Sequence, residues 1–421
     1  MHIGTIVQKL WGDRRGALAM ITAISMPVII GGAGLAADTI QWSYTKRAMQ
    51  RQADSGALAG AFALSQSQQN TVAATVTADL SRNNNVAMTI APVIQTPPTA
   101  GAFSGDTRAV RVALATDLRL PFVAFLMQRA IRIPAEATAK VVSQGEYCVL
   151  SLENTNVTGI NMGGNTNVDL GCGMMSNSPS AVSVTAGGSS RINATPVAAV
   201  GGVPAAPSNY AAGTQLIPYS VPQFDPLANL PSPNLAGVAN RNGGNVGPNQ
   251  HSILDPGVYR GGMDLKGQVE LRPGIYYIDG GSFSAGSQAT VSGTGVVIIL
   301  THHSAESSPG LIAHVSINGG ATINLTAPTS GTYAGVVFYQ DRRALDQGDN
   351  KINGNSASRY QGTFYFPGQH VEFTGTSGQD VRCVQIVTRR VTFIGNSHIT
   401  NVCPPGSGAG SFSGTRVKLV A

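Results

Sequence analysis

Three stretches of this 421-residue chain copy themselves, and a copied stretch limits the available folds more than composition does. Between Cys148 and Cys172, 24 positions apart, a pattern starts that repeats with the same period. Ile160 returns as Val184, Met162-Gly163-Gly164 as Ala186-Gly187-Gly188, and Val168-Asp169-Leu170 as Ile192-Asn193-Ala194. Further on, Val371-Glu-Phe-Thr-Gly-Thr-Ser377 returns 20 positions later as Val391-Thr-Phe-Ile-Gly-Asn-Ser397, and Cys383 returns as Cys403. Pro256-Gly-Val-Tyr259 likewise recurs as Pro273-Gly-Ile-Tyr276. Units of this size, each with a short apolar strand and Gly or Asn corners, stack on one another because none buries its apolar face alone. The strands Val296–Leu300, Gly335–Tyr339, Thr363–Phe366 and Val384–Val387 fit such coils. The expected fold is therefore mainly β, a parallel β-helix over 146–403. A β-sandwich is the alternative, disfavoured by the scarcity of two-residue hairpin signals. Asn165, Asn167, Asn353, Asn355 and Asn396 are expected at corners, where Asn tolerates left-handed backbone. Residues 201–250, dense in Pro, Gly and Asn, read as an irregular excursion, and 404–421 as a tail.

Cysteines at equivalent places in consecutive coils stand one above the other, and strands about 4.8 Å apart are within disulfide reach. Cys148–Cys172 and Cys383–Cys403 are the expected bonds. Such bonds persist outside the cytoplasm. Charged residues make up only 11 % of the chain, and the net charge of +6 is spread along it, with no Lys/Arg stripe for nucleic acid. No zinc-type cysteine spacing occurs.

The N-terminus carries a different signal. After Lys9, Arg14 and Arg15 come 22 uncharged residues, Gly16 to Ala37. A bilayer core needs roughly 20 helical residues, so 16–38 is expected to be a transmembrane helix, following a cytoplasmic 1–15. A cleaved signal peptide is the competing reading, but its apolar core spans only about 7–15 residues. Pro27, Gly31, Gly32 and Gly34 are tolerated in a span. Basic residues flank both ends, so the cysteines decide orientation: N-terminus inside, body outside. The helix is expected to continue as a stalk to about Ser81, with Gly56 and Gly60 at a spacing that lets helices approach closely. From Val86 the pattern alternates, through Ile90, Val110–Leu114, Ile131–Ile133 and Ala137–Val142. Residues 39–145 thus read as a pilin-like helix with a small antiparallel sheet. Leu120–Met127 is an apolar segment, a helix or a buried turn.

The string Arg14-Arg15-Gly-Ala-Leu-Ala-Met-Ile21, with Pro27-Val28, Gly34-Leu-Ala-Ala-Asp38, Trp42 and Gln52-Ala-Asp-Ser-Gly-Ala-Leu-Ala-Gly-Ala61, resembles the N-terminal region of TadG-like Flp pilus assembly proteins. Pro273–Gly281, Gly293–Leu300 and Ala334–Arg342 are similar to the C-terminal regions of some such bacterial proteins. The resemblance implies a single-pass inner-membrane component of the tight-adherence system, which builds thin bundled pili for attachment. Its partners would be pilin-like proteins and the inner-membrane platform. Two family features are missing. There is no metal-binding Asp-x-Ser-x-Ser run, so metal-dependent adhesion is not implied. Prepilins of this system are cut after a Gly with Glu at the fifth place beyond; here Gly16 is followed there by Ile21.

Parallel β-helices also host polysaccharide-cleaving enzymes, so a membrane-tethered carbohydrate-active enzyme is the second function considered. Its candidates lie in Asp341-Arg342-Arg343-Ala-Leu-Asp346-Gln-Gly-Asp349-Asn-Lys351, where two carboxylates could serve as acid and base or hold Ca²⁺. The cluster is read instead as a loop with local ion pairs, and Asp341, Arg342, Arg343, Asp346, Arg389 and Arg390 as candidates for partner binding. His302, His303 and His314 have no carboxylate at ligand spacing, so no metal or other cofactor is expected. Of Tyr276, Tyr277, Phe338, Tyr339, Phe364, Tyr365 and Phe366, half should point into the core. The outward half could stack on sugars, a surface polysaccharide among them, or on a partner.

Overall fold

A computed structural model describes residues 14–204, 207–375, 380–395, 398–400 and 410–421. The chain divides into two compact units, Met1–Val142 with Val417–Ala421, and Ser143–Arg416.

The first unit is built on one long helix, α1, Arg14–Ser65, which runs through Pro27. Its front half exposes its large apolar side chains, Ile21, Ile24, Val28 and Ile29 among them, as does Ile40 just beyond. The rear half buries Met49, Ala53, Ala57 and Ala61. The helix ends sooner than the expected Ser81. Ser65-Gln-Ser-Gln-Gln-Asn70 has no apolar face to bury, and Ser67 takes a left-handed φ of 57°. A second helix, α2, Val72–Arg82, then folds back onto α1. The two glycines receive it: a Cβ on Gly56 would stand 3.2 Å from Leu80, and one on Gly60 2.8 Å from both Val76 and Val110.

Strands β1, Ile90–Gln95, β2, Ala109–Leu118, and the first half of β3, Ile131–Ser151, form an antiparallel sheet. Alternation does the sorting. Val110, Val112, Leu114, Ala135, Ala137 and Ala139 join the α1–α2 core, while Arg111 pairs outward with Glu136. The segment after β2 forms a short helix, α3, Pro121–Met127, with Leu120 buried but Phe125, Leu126 and Met127 exposed. Residues read as a tail contain a strand, Phe412–Leu419, whose alternating Val417 packs against the core of the first unit.

The second unit is a three-sided parallel β-helix, and its consistently parallel ladders exclude the sandwich alternative. One face stacks Gly274–Asp279, Val296–Thr301, Val336–Gln340, Thr363–Phe366, Val384–Thr388, Val149–Ser151, Met174–Ser176 and Val197–Ala199. A second face carries Ser282–Ala285, His314–Ile317, Asp349–Gly354, His370–Gly375, Val391–Phe393, Ile160–Met162 and Val184–Ala186. The third holds His251–Leu254, Gln268–Leu271, Thr290–Thr294 and Thr322–Thr326, with Asn167–Asp169 and Arg191–Asn193 in a separate short sheet.

Spatial order differs from chain order. The coil starting at Tyr147 lies between the coil at Gly173 and the last described one, with Ile386 beside Val149 and Phe393 beside Met162. The chain thus enters mid-solenoid, builds outward, crosses to the far end near Asn245, and returns coil by coil to close against its own start. Residues 216–244 make that crossing. They lie over the first face, where Leu227 and Leu230 pack on Tyr339 and Tyr365.

Inside, aromatic side chains from successive coils stack: Phe338 on Phe364, and Phe373 on Phe393, at 5.4 and 5.5 Å between centroids. Cys148 and Cys172 are joined, with Cα atoms 5.9 Å apart. Cys383 is not a free thiol, and Cys403 lies outside the described residues.

Candidate functional site

The charged cluster after Tyr339 does not form one cleft. Asp341 is fully buried, accepting a hydrogen bond from the Thr301 hydroxyl at 2.7 Å and clamped by Arg343 at 2.6 Å. That pairing raises the Arg343 pKa. Arg342 points the other way, beneath the crossing segment. Its Nε donates to the Tyr365 hydroxyl at 2.7 Å, and its terminal nitrogens donate to the Leu230 and Leu227 carbonyls. Tyr365 in turn donates to Asp225, and Tyr339 to the Pro231 carbonyl. Arg342 is therefore a clamp on 225–231, and the outward Tyr339 and Tyr365, expected to be open to sugars or partners, are buried under that segment. Polar handles on aromatic rings explain the arrangement: the rings stay dry while each hydroxyl finds a partner.

Asp346 belongs to a different group. Glu153, its side chain fully buried, takes Arg389 at 3.0 Å and Arg390 at 2.7 Å, and Arg390 also reaches Asp346 at 2.6 Å. Burial pushes the Glu153 carboxyl up. The Thr155 hydrogen bonds and the two guanidinium groups outweigh it and hold the pKa at about 2. Asp346 likewise raises the Arg390 pKa. This network joins the coil at 147–170 to the last described coil, across the seam where the chain closes on itself. Glu153 is the member that sequence reasoning missed; a lone Glu in Leu152-Glu153-Asn154 carries no signal of its two distant partners.

Beside that network an open groove of about 460 Å³ runs along the second face. Its floor is a polar ladder, Thr392 beside Asn161 beside Thr185, and its wall includes Asp346, His370 and Arg390. His370 Nε2 and the Thr392 hydroxyl are 2.9 Å apart. Side chains on adjacent coils repeat every ~4.8 Å, so the ladder offers evenly spaced hydrogen-bonding groups.

The histidines do have a carboxylate, contrary to the expectation. Asp279 stands one coil earlier, and its oxygen lies 2.9 Å from His303 Nδ1, with His302 in the same small group. Sequence spacing hid it because coil length, not local distance, sets the neighbours. The carboxylate also accepts the His303 backbone N–H at 2.7 Å and faces Arg260 at 3.6 Å. The three side chains stand close enough to share an ion, and in this structure the carboxylate is engaged by His303 and, more loosely, by the largely exposed Arg260. His314 sits elsewhere, beside Ser282 on the second face.

An apolar helix long enough to cross a bilayer, within a helix-and-sheet unit, together with a β-helix body, fits the class of membrane-anchored proteins with a solenoid domain. The family model for Flp pilus-assembly TadE/G-like proteins matches residues 16–68, the front half of α1, its buried half and the turn beyond. Residues 16–68 thus carry a TadE/G-like domain, and that domain supports a role in Flp/Tad pilus assembly. No curated protein and no solved structure matches it.

Proposed function

We propose that the chain is a noncatalytic, minor-pilin-like component of Flp/Tad pilus assembly. Gly16–Asp38 holds it in the bacterial inner membrane, N-terminus cytoplasmic and body periplasmic or at the pilus. The β-helix is a rigid head that binds another Tad component or a surface. The observation that carries this reading is the coincidence of the TadE/G-like match with a single helix whose front half has large apolar side chains and no protein against them. The groove along Thr392, Asn161 and Thr185 is the proposed contact, suited by its polar ladder to an extended polar ligand such as a surface polysaccharide or a partner's strand. The enzyme alternative loses its best candidates, since Asp341 is sealed by Arg343 and does not converge with Asp346.

The test is a deletion strain scored for pili and for attachment, complemented by the full chain or by Asn161→Ala with Thr185→Ala and His370→Ala. Pili and attachment both lost, with pili alone restored by the groove variant, is the expected result. Normal pili in the deletion strain would overturn the assembly role. Full restoration of attachment by the groove variant would remove the groove from it.

A further inference from the structure

We infer that α3 is a foot lying in the lipid interface beside the membrane span, with Phe125, Leu126 and Met127 among the acyl chains and Arg119 and Arg129 at the phosphates. This rests on the reading of Gly16–Asp38 as a span. Three large apolar side chains on one seven-residue helix are 82 %, 63 % and 56 % exposed. In water such a cluster leaves a contiguous apolar surface uncovered, the mark of a surface that meets an apolar partner.

Its position identifies what covers it. Asp38, buried at the end of the apolar run, accepts the backbone N–H groups of Phe122 and Val123, the latter at 2.6 Å. The Phe122 ring then lies over Gly34, where any Cβ would overlap it, and reaches Gly31. At ~1.5 Å per residue, Gly34 and Gly31 stand about 6 and 10 Å inside the apolar run from Asp38. That is the depth, about 5–10 Å, at which interfacial helices bury their apolar face. On the other side of Asp38, Trp42 and Tyr44 are exposed within two turns, where aromatic side chains mark the headgroup level. Arg119 and Arg129 flank α3, are exposed, and meet no carboxylate among the described residues, whereas Arg132 is held by Asp117 at 3.1 Å. Lipid phosphates complement the first two. Gly34 thus has a specific reason to lack a side chain: it seats the foot against the span.

The full chain, with Trp11→Phe and Trp42→Phe, would carry a single reporter, Phe125→Trp or Ile24→Trp, in phosphatidylcholine–phosphatidylglycerol vesicles whose acyl chains are brominated near the headgroup or near the bilayer centre. Position 125 is exposed, so the reporter does not disturb packing, and an unchanged melting midpoint checks this. The expected result is loss of emission at 125 with the shallow bromines, protection there from acrylamide, and loss at 24 with the deep bromines. Strong acrylamide quenching at 125 without bromine quenching would place the foot in water. Protection from both quenchers would mean that protein, such as a second copy of the chain, covers it. Either overturns the inference. If position 24 is also untouched by bromine, the span reading itself fails and the foot with it.

Discussion

The first unit and the β-helix bury their cores by opposite means. In the first, Ala53, Ala57 and Ala61 line α1, and the vacancies at Gly56 and Gly60 admit Val76, Leu80 and Val110. In the second, Phe338, Phe364, Phe373 and Phe393 fill a prism from within. One is specified by side chains left out, the other by side chains put in. A core of small residues fixes how closely elements approach, whereas a column of large ones fixes which coil stacks on which.

Crossed substitutions test that contrast. Phe364→Ala should cost the β-helix about 3–5 kcal/mol, because three ring contacts vanish into a cavity. Thermal unfolding of purified protein would show it, and a cost below ~1 kcal/mol would mean that the column is loosely packed. Opening the Cys148–Cys172 bond with a double Cys→Ser variant should cost about 3 kcal/mol for its 24-residue loop, read as a lower denaturation midpoint. Gly60→Leu should cost about 1–3 kcal/mol in the first unit, whereas Gly32→Leu, with nothing within 4 Å of its added Cβ, should leave the midpoint unmoved. Equal effects at the two glycines would dissolve the distinction between the halves of α1.

A further test concerns pH. The Glu153 carboxyl is held at about 2 when folded, against about 4.3 in an unfolded chain. Its contribution is present above pH 4.3 and drains away as pH falls toward 2. Glu153→Gln should flatten that part of a stability–pH curve, and an unchanged slope would show that the two arginines do not act through this carboxylate.

The repeats made the solenoid readable because each copied stretch sets its nearest neighbour. Val371 does stand beside Val391, and Ile160 beside Val184. The seam was hidden, since Phe393 and Met162 are 231 positions apart. A fainter signal was available. Ile160-Asn-Met-Gly-Gly164-Asn-Thr166 has the shape of Val391-Thr-Phe-Ile-Gly395-Asn-Ser397, and Gly164 and Gly395 both turn the corner with positive φ, 70° and 85°. Read together, the two blocks form one series whose chain order is permuted. The end of α1 at Ser65 and the burial of Tyr365 escaped sequence reading for two other reasons. The polar run Ser65–Asn70 marked the first locally, but the Ala-rich pattern that resumes at Val72 masked it as one continuous stalk. The second depends on 225–231 crossing over from a distant part of the chain, which leaves no periodicity in the residues it covers.

Entry at mid-solenoid has a consequence for how the protein is made. Until residues 384–395 exist, the strands at Val149–Ser151 and Ile160–Met162 present an open row of backbone donors and acceptors, the kind of edge that recruits stray strands. Nothing local can cap that edge early. That late coil is the lid for the first, so a chain cut short before Val384 keeps the edge open, whereas one that reaches past Phe393 covers it.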